Sequence, residues 1–392
     1  MPTPGVQRAA QTTFSVPDVP GVAEEVSTKK KHDIPKPKQT PTTESSGMIN
    51  AKDISQEYVP KKVPTPKLCD GHKLKHKSKK TPSECGDTKD KTDIVNTGIG
   101  VAEEVTKLWE CQATEQIVAR VKAVHYRFDM TLRHKEFLSL RPHDRLCGEV
   151  MESYIRSVLN EHDKSGKIYQ LNHHTTFVIF YGKREQVARQ GLKDVNFEAF
   201  DGVITFLNIR DIHWKFVYLH LPSQQIFVVD PACATPDIRS LTNASKKFQQ
   251  YFKMRHNRLG KEDLVNIEWK TGHINHTVQE DATSCGVFVL QMIKETVKQF
   301  PVIPQEFQIN PSAENIQNLR REMARDILLA AESNEEFCST CGLRDLPNKT
   351  DVQMIDWIQC DRCCRWFHIL CVGLQCNSSD ETEWFCELCR MH

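Results

Sequence analysis

Apolar side chains are sparse and without period over the first hundred residues, and from about residue 101 they gather into runs of two kinds. Short continuous runs read as strands: Phe177–Tyr181, Val203–Ile209, Phe216–Leu221 and Ile226–Val229. The last two are parted by Pro222-Ser223-Gln224, which predicts a hairpin with a short loop. Other runs recur at helical spacing. Over Glu149–Leu159 the pattern places Val150, Tyr154, Ile155 and Leu159 on one face. Cys285–Val297 is mostly apolar, as a helix buried in a core would be. A further helix is predicted from near Pro311-Ser312, with Ile316, Leu319, Met323 and Ile327 at spacings of three and four. One strand cluster with helices on either side predicts an α+β domain over 101–331.

The preceding segment, 1–100, is rich in Pro, Thr, Ser and Lys with few aromatics. It cannot bury enough apolar surface to offset its ordering entropy and is expected to be disordered. Two lysine clusters lie in it, Lys29–Lys31 and Lys73–Lys80, readable either as a nuclear-import signal or nucleic-acid contact or as a solvated tail. The string Gly-Val-Ala-Glu-Glu-Val occurs at Gly21–Val26 and again at Gly100–Val105, too little to define a repeat protein. The 52 basic and 51 acidic residues nearly cancel, so neither a globally basic nucleic-acid binder nor sequence-specific nucleic-acid recognition is expected. No apolar run has membrane-spanning length and the N-terminus lacks a secretory pattern, so an intracellular chain with no membrane partner is expected. In a reducing compartment, the 15 cysteines point to metal ligation or catalysis more than to disulfides.

Seven of those cysteines and one histidine form four pairs at a constant gap: Cys338/Cys341, Cys360/Cys363, His368/Cys371 and Cys386/Cys389. Zinc takes four N or S ligands in a tetrahedron, so eight ligands imply two ions. A unit of this size has too small a core to stand alone, and metal binding would supply its folding energy. The ligand order over 336–392 resembles the PHD finger, with Trp357–His368 especially similar, whereas a RING finger places its histidine differently. The resemblance implies interleaved ligation: Cys338, Cys341, His368 and Cys371 on one zinc, Cys360, Cys363, Cys386 and Cys389 on the other. It also implies that Trp357 and Trp366 form a cage for methyl-lysine of the histone H3 tail, since a trimethylammonium group is drawn to aromatic faces. Asp361 matches the position that meets the tail's arginine. Trp384 reads as packing, and Cys364 and Cys376 as bystanders.

A cysteine nucleophile needs a base, a group that orients the base, and an oxyanion donor. The α+β region offers His213 beside Trp214, then Asp230 at the end of the hairpin, then Gln279 six residues before Cys285-Gly286. Cys285 opens the apolar helix, where free backbone N–H groups favour the thiolate. The order resembles the Ulp/SUMO-specific peptidase family and its adenovirus-proteinase relatives from about Leu146 to Leu329. The resemblance implies Cys285 as nucleophile, His213 as base, Asp230 as its orienter, Gln279 as oxyanion donor and Trp214 as roof of a substrate tunnel. It implies a thiol peptidase acting on a ubiquitin-like modifier or its conjugate, in the nucleus, guided to chromatin by its finger; the alternative is a catalytically inactive chromatin-binding protein in which the finger carries the function. Arg145-Leu146-Cys147-Gly148 stands where the family has Trp-Leu-Asn-Asp, so Arg145 replaces a second tunnel tryptophan and points to a different modifier or an ordinary polypeptide. Cys147 and Cys233 read as packing cysteines. The same pairing of peptidase and finger occurs in some mobile elements, from which the chain could derive.

Overall fold

The computed structural model describes residues 98–122, 129–333, 337–346, 356–374 and 383–390. The expected disordered tail up to residue 97, both lysine clusters and the first hexapeptide copy lie outside the described residues. Helix α1 (Gly98–Glu110) carries the second copy, with Val101 and Val105 buried. Strand β1 (Ile117–Val121) pairs antiparallel with β2 (Met130–Arg133). Helix α2 (Gly148–His162) follows, and the predicted face of Val150, Tyr154, Ile155 and Leu159 is buried in it. Burial extends round to Glu152, Ser153 and Arg156, because α2 is enclosed on several sides.

After β3 (Ile168–Gln170), the run expected as a strand at Phe177–Tyr181 is instead the second half of helix α3 (His173–Tyr181). The Asn172 side chain accepts the backbone N–H groups of His174 and Thr175 and so caps its first turn. Burial then follows the helical period: Thr176, Ile179 and Phe180 face inward while Phe177 and Tyr181 face outward. The next strands fall where expected, β4 (Gly202–Ile209), β5 (His213–His220) and β6 (Gln225–Val229), with Pro222, Ser223 and Gln224 inside the hairpin loop. Helix α4 (Ile238–Leu259), β7 (Lys270–Thr271), β8 (Asn275–His276), α5 (Cys285–Gln299), β9 (Glu306–Phe307) and α6 (Ala313–Leu329) complete this part. Ser312 caps α6 by accepting the Asn315 N–H.

The central sheet has the order β3-β4-β5-β6-β7, antiparallel through β4, β5 and β6 and parallel at both edges. Its central strands β4, β5 and β6 are buried on both faces. Ile204 and Phe206 of β4 join the core under α2, α5 and α6, while Val203 and Leu207 join a second core with Phe248, Tyr251 and Phe252 of α4. Each such side chain contributes about 1.5–3 kcal/mol relative to an exposed one. The chain is thus a mixed sheet flanked by helices, the α+β layering expected.

The finger contributes β10 (Trp357–Gln359), β11 (Trp366–His368) and α7 (Glu387–Arg390). It is seated on α1 and β1. Ile117 N–H donates to Ser339 O at 2.7 Å, and Arg120 donates to Gly342 O at 3.0 Å. Arg365, whose side chain is 5% exposed, pairs with Glu104 at 2.8 Å. That ion pair and the buried Val105, which shares a core with finger residues, give the second hexapeptide copy its role: it is the strip of α1 that joins finger to peptidase fold.

Candidate active site and zinc centres

His213 opens β5 and Asp230 follows β6 directly, so the hairpin register brings them to one end of the sheet. His213 Nε2 lies 2.7 Å from Asp230 Oδ1, which leaves Nδ1 for the thiol. Cys285, 1% exposed, is the first residue of α5. The hydrogen bond to Asp230, and secondarily that to Cys285, hold the His213 imidazole up at about 9. Burial works against ionisation of Asp230, but the hydrogen bonds from His213 and Lys215 outweigh it and keep the carboxyl far below its usual range. The three groups thus stand in the order carboxylate, imidazole, thiol, with the thiol at a helix N-terminus.

Gln279 is anchored beside this pair, its backbone N–H donating to Pro231 O at 2.8 Å. Its side-chain Nε2 donates to Asp281 O at 2.7 Å, which engages one of its two amide hydrogens. Asp281 organises the turn ahead of Cys285: it accepts the Ser284 N–H at 2.9 Å, the Thr283 hydroxyl at 3.0 Å and the Ser284 hydroxyl. Trp214 is buried and its indole N–H donates to Leu146 O at 2.9 Å. The neighbouring Arg145 is exposed and reaches the Ala282 carbonyl through Nε at 3.4 Å. Below both, the fully buried Arg320 of α6 donates to the carbonyls of Ser139, Arg141, Asp144 and Thr283, tying the Arg145 loop to the turn ahead of Cys285.

Two residues beside this site are not among the candidates read from the sequence, Lys215 and Arg320. Lys215 had a signal in the strand period, since it lies two residues from His213 and so on the same face. Burial raises the Cys147 thiol to about 11, consistent with packing. Cys233, by contrast, is exposed and bonds to Thr235, because it sits in the loop beyond β6 and not in a core.

The eight finger ligands form the two interleaved sets expected, Cys338, Cys341, His368, Cys371 and Cys360, Cys363, Cys386, Cys389, with ligand atoms in each set within 4.8 Å of one another. Their surroundings fit zinc. His368 Nε2 lies 3.0 Å from Arg344 O, so Nδ1, 3.4 Å from Cys341 Sγ, is the nitrogen left for the ion. Backbone N–H groups of His368 and Cys386 donate to Cys338 Sγ and Cys360 Sγ, and Gln116 of the peptidase side donates to Cys386 Sγ.

Trp357 and Trp366 share a face of the β10–β11 ribbon, diagonal to one another through the pairs Trp357↔His368 and Gln359↔Trp366. Trp357 is partly exposed, its ring 4.2 Å from that of His368, whereas Trp366 is 4% exposed. One carboxylate oxygen of Asp361 accepts the Trp384 N–H at 2.6 Å, and Trp384 packs edge-on to Phe367.

Residues 130–334 match the Ulp1 protease family, C-terminal catalytic domain, and residues 337–389 match the PHD-finger. Among curated proteins, the JmjC domain-containing histone demethylation protein 1 of Emericella nidulans is 34% identical over 82 residues, 20% of this chain and 6% of that protein. The protein of the same name from Mycosarcoma maydis is 33% identical over 87 residues, 21% of this chain and 13% of that protein. The chain thus spans only a small part of the length of these relatives. Among solved structures, the yeast Ulp1 protease domain in complex with Smt3 is 17% identical, covering 58% of this chain and 93% of that one with a TM-score of 0.46. The Chaetomium thermophilum Ulp1-like SUMO protease catalytic domain is 16% identical, covering 59% and 89% with a TM-score of 0.44. On the match that spans more than half its length, the chain belongs to the Ulp1 family of cysteine proteases, with a zinc-binding PHD finger following the catalytic domain.

Proposed function

We propose that this chain is a nuclear thiol peptidase that cleaves the bond behind a ubiquitin-like modifier, SUMO or a relative, and that its finger reads methyl-lysine on the histone H3 tail. The observation that carries the peptidase reading is the 2.7 Å hydrogen bond from His213 to Asp230 beside a cysteine at a helix N-terminus. In this reading the Cys285 thiolate attacks the carbonyl carbon and the oxyanion settles on the free Gln279 amide hydrogen and backbone N–H groups. His213 gives its proton to the leaving amine, and water, deprotonated by the same imidazole, releases the acyl group. Trp214 would line the tunnel. The exposed Arg145, in place of a second apolar wall, favours a modifier whose C-terminus differs from Gly-Gly, or an ordinary polypeptide.

The test is labelling of the purified chain, wild type and Cys285→Ala, by a panel of ubiquitin-like modifiers bearing a C-terminal electrophile. Labelling of wild type alone by one modifier is expected; equal labelling of the Ala variant removes Cys285 from the role, and none by any modifier removes the modifier. For the finger, the shared face of Trp357 and Trp366 supports a cage, and the burial of Trp366 means that the tail must uncover it. Trp357→Ala should keep both zinc ions and lose affinity for a trimethyl-lysine H3 peptide; unchanged affinity would refute the cage.

A further inference from the structure

The catalytic carboxylate is held from two sides. Continuing the β5–β6 register by one pair places Lys215 directly across from Asp230. Lys215 Nζ lies 2.9 Å from Asp230 Oδ2, while Oδ1 takes His213 at 2.7 Å and the Ala232 N–H at 3.0 Å. The lysine side chain is only 12% exposed, and its nearest other carboxylate, Asp237 at the cap of α4, stands 3.9 Å away. A strand position so enclosed seldom carries an ammonium without a specific partner. The remaining titratable groups around Asp230 are His273 and His276, with His276 Nε2 on the Asp230 carbonyl at 2.9 Å, together with Cys233 and, across His213, Cys285. Among the described residues lining this recess, Lys215 is the one lysine or arginine.

We infer that Lys215 is a positioning residue of the peptidase, gripping the second oxygen of Asp230 so that the first stays on His213, and tempering the stability of the His213 imidazolium. The two effects have different signatures. Without the ammonium, Asp230 keeps the Ala232 N–H but faces His213 as its sole cation, so the imidazolium gains and its proton is lost at higher pH. Without the grip, the carboxylate can turn and the imidazole loses its fixed aim at Cys285, which lowers turnover.

This inference rests on the peptidase reading, and the experiment separates the two. Full-length wild type, Lys215→Met and Lys215→Arg are compared by the pH profile of kcat/KM on SUMO carrying a C-terminal aminomethylcoumarin, and by the NMR titration of His213 in histidine-labelled protein. In Lys215→Met the His213 midpoint and the alkaline limb should rise by about one pH unit, and kcat/KM near neutrality should fall roughly tenfold. Lys215→Arg should restore both. A wild type that turns over no SUMO counts against SUMO as the substrate, and one that also fails to label with every modifier of the panel counts against the modifier reading, while the His213 midpoint still decides for or against Lys215. The same midpoint in wild type and Lys215→Met overturns the inference, whatever happens to the rate.

Discussion

A single proton links the chemistry of His213 to the stability of the fold. The imidazole, hydrogen-bonded first to Asp230 and then to Cys285, holds its proton up to about 9, against about 6.5 for a free histidine. Between those two values the folded chain keeps a proton that the unfolded chain gives up. The stabilisation is therefore whole below about pH 6.5 and fades as pH rises through about 9. The melting-temperature difference between wild type and His213→Gln should be largest near pH ~6 and shrink toward pH ~10. A difference that stays flat over that range would mean the proton is not held as the geometry implies. That these residues would come together was legible in the sequence, because it depends on residue type and order: His213, Asp230, Gln279 and Cys285 are few, spaced and chemically distinct. Lys215 was not, because a lysine in a strand has no chemistry of its own until the hairpin register shows what lies opposite.

Element boundaries follow from caps and close approaches, and Gly148 shows how. It is the first residue of α2, where the family pattern has an acidic residue. A Cβ there would lie 2.4 Å from His173 Nε2 and 2.5 Å from its Cε1. The His173 ring has little freedom to yield, since Nδ1 sits 2.9 Å from Glu152 and the ring stacks on Phe206. Gly148→Ala, which by helix propensity alone would stabilise by up to about 1 kcal/mol, should instead destabilise by about 1–3 kcal/mol. Urea unfolding would measure it, and the cost should shrink in a His173→Ala background; a gain in stability would show that the ring moves aside. The same helix was readable from its apolar stripe, because an amphipathic period of eleven residues is unambiguous. The five residues Phe177–Tyr181 were not, because a short apolar run fits a strand or a buried helix equally well. What decided it was Asn172, a cap lying outside the run.

On the scale of the whole molecule, the finger is part of the peptidase's own support. Its Cys338, Cys360, Phe367, Cys386 and Leu388 share one core with Val105, Leu108 and Trp109 of α1. Gln116, one residue before β1, donates to the zinc ligand Cys386, and β1 in turn pairs with β2, which packs on α2. Loss of zinc should thus propagate along α1 and β1 into the layer that carries the catalytic loops. The Glu104–Arg365 pair tests this with every zinc ligand left in place, although Arg365 also contacts the ligand Cys363. Glu104→Gln leaves the buried Arg365 guanidinium without its carboxylate. For a fully buried pair that costs about 3–5 kcal/mol; with Glu104 28% exposed, about 1–3 kcal/mol is the better expectation. Zinc release, followed with a chromogenic chelator, and loss of peptidase structure, followed by circular dichroism, should shift together to lower urea in this variant. The double variant Glu104→Gln/Arg365→Met should recover part of the loss, because it removes the stranded charge as well. If zinc leaves early while the peptidase transition stays where it was, finger and peptidase are independent bodies and the shared core contributes nothing to the enzyme. A joint shift means that the segment ahead of the family's catalytic domain, α1 and β1, is the element that makes one cooperative unit of the two.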